Sequence, residues 1–214
     1  MLGVFLLAAA PSVADVPVGP CAAAIAAPGA GVVPTGLPPV GSAAPAPEQL
    51  VACVGLMPIT GASYLHWLTV AQRPSAGPHA KGEHVPSAID LRDEVLEYLI
   101  TAGWLVSEAK ALGIHVPASV VKREFDRIRA QQFPKRSEFQ SFLRESGQTV
   151  ADLLLRVERT LLSRRILQHV LAGHHSARSR QRAAAVFVKA FTARWRAQTY
   201  CASGFVVKDC GRTL

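Results

Sequence analysis

The first 49 residues contain no lysine and no arginine, and only Asp15 and Glu48 carry acidic charge there. Other signatures are missing along the whole chain. No Cys-x-x-C and no Cys/His zinc spacing occurs, which removes the usual metal-binding patterns. There is no Gly-x-Ser-x-Gly and no glycine-rich phosphate loop, so neither a serine hydrolase nor a nucleotide site is announced. The seven histidines are scattered. His169 with His174 and His175 comes nearest to a metal set, but Gly173 breaks the helix between them. No catalytic residue, metal ligand or cofactor is therefore expected. No acidic residue lies between Glu158 and Asp209.

The chain that remains is split by composition. From Leu50 onward it carries all 23 basic residues and 13 of the 15 acids, a net charge of +10. Residues 1–20 read as a signal-peptide-like leader, with an apolar run at Met1–Ala10 and small residues at Ser12-Val13-Ala14. The basic start of such a leader is missing, which a misassigned start codon would explain. The run is far short of the roughly 20 residues needed to cross a bilayer. Residues 21–48 read as a disordered tether rich in Pro, Ala and Gly, because such a stretch cannot bury enough apolar area to offset about 1–2 kcal/mol of ordering cost per residue. Residues 49–214 read as the folded domain. An exported location follows, in the cell envelope or secreted, with an uncleaved leader as the route to a membrane-tethered form. Cys201 and Cys210 lie close enough to close a loop, and in an exported protein a disulfide is the default. In the cytosol the two would be reduced thiols. Pairing of Cys21 with Cys53 stays open.

Hydrophobic periodicity gives a helical body. Val51 and Val54 mark a strand that runs into a turn at Gly55 and Pro58. Thr60 caps a helix with Tyr64, Trp67, Leu68 and Ala71 on one face. Arg73 to Pro86 is a loop. A long helix from about Ser87 to Leu112 carries Leu91, Val95, Leu99, Ala102, Val106 and Ala109, ends at Gly113, and calls for a close helix contact at Gly103. Pro117 opens the next helix, with Val121, Phe125 and Ile128, and Phe133-Pro134 breaks it. Ser137 caps a short helix with Phe139, Phe142 and Leu143. Thr149 and Asp152 start another that runs to Val170. The last, about Ser179 to Ala197, bears Phe187, Phe191 and Trp195, and Phe205-Val206-Val207 reads as a final strand. The two strands would pair and join the chain ends. Glu108 and Asp90 read as solvated ion-pair partners.

Several of these segments together resemble one family. Val51 to Thr60 followed by Trp67-Leu68 is similar to the opening of the SurA- and PrsA-type foldases. Tyr98-Leu99-Ile100 through Glu108 to Val116 resembles their next helix. Gln131 to Pro134, Phe139, Phe142-Leu143, Gly147-Gln148-Thr149 and Leu153 to Val157 resemble the segment after it. Trp195 to Cys201 and Gly204 to Cys210 resemble the C-terminal cap of one bacterial branch. The resemblance implies a mainly α fold: a multi-helix chaperone domain of the SurA N-terminal kind, completed by residues 179–214, with a small two-stranded β element at the joined ends. Relatives insert a parvulin-type prolyl isomerase domain of roughly a hundred residues. Here only Ala172 to Arg182 separates the two regions, and Pro117 stands where a capping Ser or Asp is usual.

The expected function is that of an extracytoplasmic, ATP-independent chaperone holding unfolded or newly exported polypeptides on an apolar helical cradle. The substrate-binding candidates are Trp67, Phe125, Phe133, Phe139 and Phe142, with Phe133 and Phe139, beside the Pro134 break, expected to be the most exposed. A peptidyl-prolyl isomerase label would come from relatives, and a non-catalytic envelope docking subunit is the other alternative. Basic residues from Arg159 to Arg196 suit acidic clients or an anionic envelope surface. Specific nucleic-acid binding is not expected of an exported protein.

Overall fold

A computed structural model of the chain describes residues 19–26, 31–32, 44–73 and 87–214. Residues 1–18 of the leader reading, 27–30 and 33–43 of the tether reading and 74–86 of the loop lie outside those residues. In chain order the elements are α1 (Pro20–Ala26), β1 (Gly31–Val32), β2 (Leu50–Val54), β3 (Met57–Thr60), α2 (Gly61–Ala71), α3 (Ala88–Ala111), α4 (Ala118–Gln132), α5 (Arg136–Ser146), α6 (Val150–Leu171), α7 (Ala177–Ala197), β4 (Thr199–Cys201) and β5 (Arg212–Thr213). The fold is mainly α with one small sheet.

That sheet joins the two ends of the domain, in the strand order β1-β5-β4-β2-β3. Strands β2 and β4 run antiparallel, pairing Ala52 with Cys201 and Val54 with Thr199. The C-terminal partner is therefore Thr199–Cys201, and Phe205-Val206-Val207 is irregular. Phe205 and Val207 are buried all the same, so their apolar character serves the core without a strand. The sheet also exceeds the expected pair. Met57–Thr60 folds back on β2 across a turn at Gly55-Leu56, where Gly55 takes φ +56°. Pro58 is tolerated because β3 is an edge strand that needs no N–H on its open side.

The reading of residues 21–48 as a tether fails where the structure describes them. Cys21 on α1 is bonded to Cys53 on β2 and fully buried. Gly31–Val32 pairs with β5. Pro45 is buried, and the N–H groups of Gly61 and Ala62 donate to the Gln49 and Pro47 carbonyls, both at 2.8 Å. A covalent link and sheet hydrogen bonds supply the anchoring that composition alone does not. The expected Cys201–Cys210 disulfide is present as well. Two disulfides suit an oxidising compartment. No helix among the described residues is long and apolar enough to cross a membrane.

Local signals place the helices. Thr60, Ser87 and Thr149 each accept a hydrogen bond from the backbone three residues on, and Asp90 and Asp152 complete capping boxes. The short helix is capped two residues earlier than Ser137, at Lys135, whose N–H donates to Glu138. The last helix starts at Ala177, two residues before the expected start at about Ser179, and is capped by Ser176. Gly103 does mark a close approach, although its neighbour is the sheet: a Cβ there would lie 2.4 Å from Met57 Cε and 3.1 Å from Val54 Cγ2.

Two apolar clusters result. One unites β2, β3, α2 and the first half of α3 with Trp195, Phe205 and Val207. The other unites the end of α3 with α4, α5 and α6. Glu108 sits at their junction and is not on a solvated face. It is 1% exposed and accepts from Trp195 Nε1 at 2.6 Å and from Arg194. Beside it Trp104 Nε1 donates to Thr199 Oγ1 at 2.7 Å, and Thr199 donates onward to the Trp195 carbonyl. This polar chain fixes the end of α7 to α3, which brings β4 onto β2.

Candidate functional site

The helical spacing of α2 puts Trp67 and Val70 along its flank, and that of α3 puts Leu91, Val95 and Tyr98 on one face at i, i+4 and i+7. These faces do not close on each other completely. Between them, with α5 and the start of α6, lies an open cavity of about 440 Å³ walled by Trp67, Val70, Leu91, Val95, Tyr98 and Phe142. Its rim is mixed in charge, with Arg73, Arg156, Glu94 and Glu145. Arg73 Nη1 donates to the Arg144 carbonyl at 2.7 Å, which ties the end of α2 to α5 across one end of the opening.

The aromatic wall is braced from α6. The Trp67 and Tyr98 rings meet at 5.1 Å between centroids. The Arg156 guanidinium lies 5.2 Å from the Trp67 ring centre, and Arg159 lies 5.2 Å from that of Tyr98. One helical turn separates the two arginines, so a single helix lays a cation on each ring. The Tyr98 hydroxyl and Gln148 Oε1 are buried on residues lining the cavity and have no hydrogen-bond partner among the described residues. Such groups are uncommon in a closed interior.

A second, smaller cavity of about 170 Å³ lies under α4, α5 and α6, lined by Phe125, Ile128, Phe133, Phe139 and Phe142 among others. Phe142 and Arg156 border both spaces. The phenylalanines form a chain of ring contacts, with centroids 6.1 Å apart for Phe125 and Phe139, 5.6 Å for Phe133 and Phe139, and 5.0 Å for Phe133 and Phe142. The kink at Phe133-Pro134 turns α5 back over α4 and creates this contact.

All five aromatics picked from the sequence thus border the two adjoining cavities, but not equally. Phe133 and Phe142 are half-buried, whereas Trp67, Phe125 and Phe139 are buried beneath them. Phe139 was expected to be among the most exposed. Instead it inserts between Phe125 and Phe133, because its position on α5 faces α4. Sequence reasoning missed Tyr98, Val70, Leu91, Arg156 and Gln148. The α3 stripe contained Leu91 and Val95, with Tyr98 beside it, yet periodicity cannot tell a stripe facing a core from one facing a gap.

Two carboxylates near the groove are perturbed. Burial pushes the Asp93 carboxyl up, helped by the Glu97 and Asp90 carboxylates along α3. Burial also opposes ionisation of Asp152, but hydrogen bonds from the Thr149 backbone and hydroxyl and from His66 outweigh it, and the carboxyl is held below its usual range. His66 Nε2 meets Asp152 Oδ2 at 3.0 Å, linking α2 to the start of α6.

No family model, no curated protein and no solved structure significantly matches the chain.

Proposed function

We propose that this protein is an ATP-independent, extracytoplasmic holding chaperone of the SurA/PrsA type, which buries apolar segments of unfolded or newly exported polypeptides in the groove between α2, α3 and α5. The observation that carries the reading is the open aromatic cavity walled by Trp67, Tyr98 and Phe142. Apolar and aromatic walls suit the side chains of a polypeptide ligand, which need burial, and the polar rim leaves its backbone in reach of water. The mixed rim of Arg73, Arg156, Glu94 and Glu145 favours neither charge sign, as tolerance of many clients requires. The two disulfides are consistent with work outside the cytoplasm.

The test is suppression of light scattering by an aggregating unfolded client, without ATP, with a proline-isomerisation assay run in parallel. Wild-type chain is expected to suppress aggregation near stoichiometric ratio. Phe142→Asp, which places a charge at the shared border of the cavities, is expected to raise the ratio needed about fivefold or more, the cost of presenting a charge to an apolar segment. Isomerase activity would point to a catalytic site instead. Silence in both assays would favour a docking subunit.

A further inference from the structure

Helix α7 presents a second surface, which shares no residue with the aromatic groove. Most of its length is exposed, and Trp195 is its only buried residue. Where it lies beside the end of α6, Val170, Ala183, Val186 and Phe187 line a shallow groove of about 590 Å³, with His174 and Arg182 at its edge. Three large apolar side chains on this hairpin stand in solvent: Leu167 at 47% exposure, Val186 at 64% and Val188 at 58%. Around them are Arg178, Arg180, Arg182 and Lys189, all exposed, whose side chains have no hydrogen-bond or ion-pair partner among the described residues. Arg178, Arg182 and Lys189 recur at i, i+4 and i+11 and share one face of α7, while Ala183, Val186 and Ala190 run down the neighbouring face.

We infer that the α6–α7 hairpin is a docking surface for an acidic, amphipathic polypeptide segment, whose apolar side chains enter the groove at Val170, Val186 and Phe187 while its carboxylates pair with Arg178, Arg182 and Lys189. Charge complementarity selects the partner. The 50 residues from Arg159 to Lys208 contain no acid, so α7 and the end of α6 carry no carboxylate of their own, and a second copy would bring a second set of cations against the first. A lipid surface fits less well. Interfacial helices insert Trp, Phe and Leu, but on α7 Phe187 and Phe191 stack together at 5.7 Å and Trp195 is buried, which leaves Val and Ala outermost on that helix, with Leu167 of α6 the one exposed leucine beside them. Single-stranded nucleic acid would want exposed rings for stacking, and α7 has none on its outer face. The geometry is that of a helix laid in a groove with a charged border.

The experiment uses the full chain and a fluorescein-labelled peptide of about 20 residues, in which glutamates flank a leucine stripe at helical spacing. Its counterpart carries glutamine at every glutamate. The acidic peptide is expected to bind, and to bind more weakly as salt rises. Arg178→Glu/Arg182→Glu/Lys189→Glu is expected to weaken it at least about tenfold, and Val186→Asp similarly, whereas Arg123→Glu on α4 changes it less than about twofold. These positions are exposed, and circular dichroism checks that each variant stays folded. Equal binding of the glutamine peptide, or a charge-reversed hairpin that binds like wild type, overturns the proposal. So does binding to phosphatidylglycerol vesicles that the acidic peptide does not compete with, or a dimer in sedimentation velocity that Val186→Asp disperses. Because the groove at Phe142 is not involved, Phe142→Asp should leave peptide binding intact, which keeps this proposal separable from the holding role.

Discussion

Glu108 and Asp152 show how much single carboxylates decide in this fold. Glu108 holds Trp195 and Arg194 from the inside of the molecule. Removing it leaves the buried Trp195 indole N–H unpaired, which costs about 1–3 kcal/mol, and takes the anion from Arg194, whose half-exposed guanidinium water can still solvate. Glu108→Ala is therefore expected to lower the unfolding midpoint in urea sharply, with Glu108→Gln recovering part of the loss because its amide oxygen still accepts from Trp195. Equilibrium denaturation followed by tryptophan fluorescence measures both. Asp152 gives a pH dependence. Its carboxyl is held below its usual range in the folded state, so it contributes stability that is present above its unfolded pKa and is lost as pH falls through the folded value. Asp152→Asn is expected to reduce stability at neutral pH and to flatten this acid limb, as a comparison of thermal midpoints from pH 7 down to the carboxylate range will show. The sequence flagged Asp152 through its capping spacing with Thr149. It hid the role of Glu108, since a carboxylate amid basic residues on a helix looks the same whether its partners lie in water or in the core.

Among the elements, the helices after Thr60 were legible, whereas α1 and every strand but β2 were not. Caps and glycine stops are local chemistry, and Thr60, Ser87, Thr149, Gly113 and Gly147 act where their residue types say they should. The sheet depends on partners distant in sequence. Leu50–Val54 reads as a strand from its own residues, but its neighbours Met57–Thr60 and Thr199–Cys201 are too short to announce themselves, and the apolar triplet Phe205–Val207 drew attention away from the latter. Pairing of Cys21 with Cys53 was equally invisible, because two cysteines 32 residues apart carry no geometric signal in sequence. Loop-closure entropy ranks the two bridges. The Cys21–Cys53 loop spans 32 residues and the Cys201–Cys210 loop nine, which corresponds to about 3–4 and about 2–3 kcal/mol in the chain-entropy account. Cys21→Ser/Cys53→Ser is thus expected to destabilise more than Cys201→Ser/Cys210→Ser, measured by urea midpoints under oxidising conditions. Gly61 gives a further test of how the N-terminal segment is held. A Cβ there would lie 2.0 Å from the Ala46 carbonyl oxygen, a backbone atom that can move only with its segment. Gly61→Ala is expected to cost about 1–3 kcal/mol and to make residues 44–49 more sensitive to limited proteolysis.

At the scale of the molecule, a closed ring of contacts supports an incomplete interior. The sheet and the Glu108–Trp195 chain fasten the C-terminal helix to the N-terminal hairpin, and α2, α3, α5 and α6 are left around a gap that none of their side chains fills. The choice of Trp67, Phe125, Phe133, Phe139 and Phe142 found the neighbourhood of that gap because aromatics in excess of what a short helix buries must meet somewhere. It could not rank them by exposure, which follows from the α4–α5 kink and from helix rotation. The holding role stands or falls on whether an unfolded chain enters this gap. The most direct measurement places a photo-reactive cross-linking residue at position 142, or at position 56 on the exposed β2–β3 turn, and irradiates each protein with an unfolded client. Cross-links from position 142 that excess apolar peptide competes away, with few from position 56, are the predicted result. Equal yields from both positions, or none from position 142, would contradict the assignment of the groove.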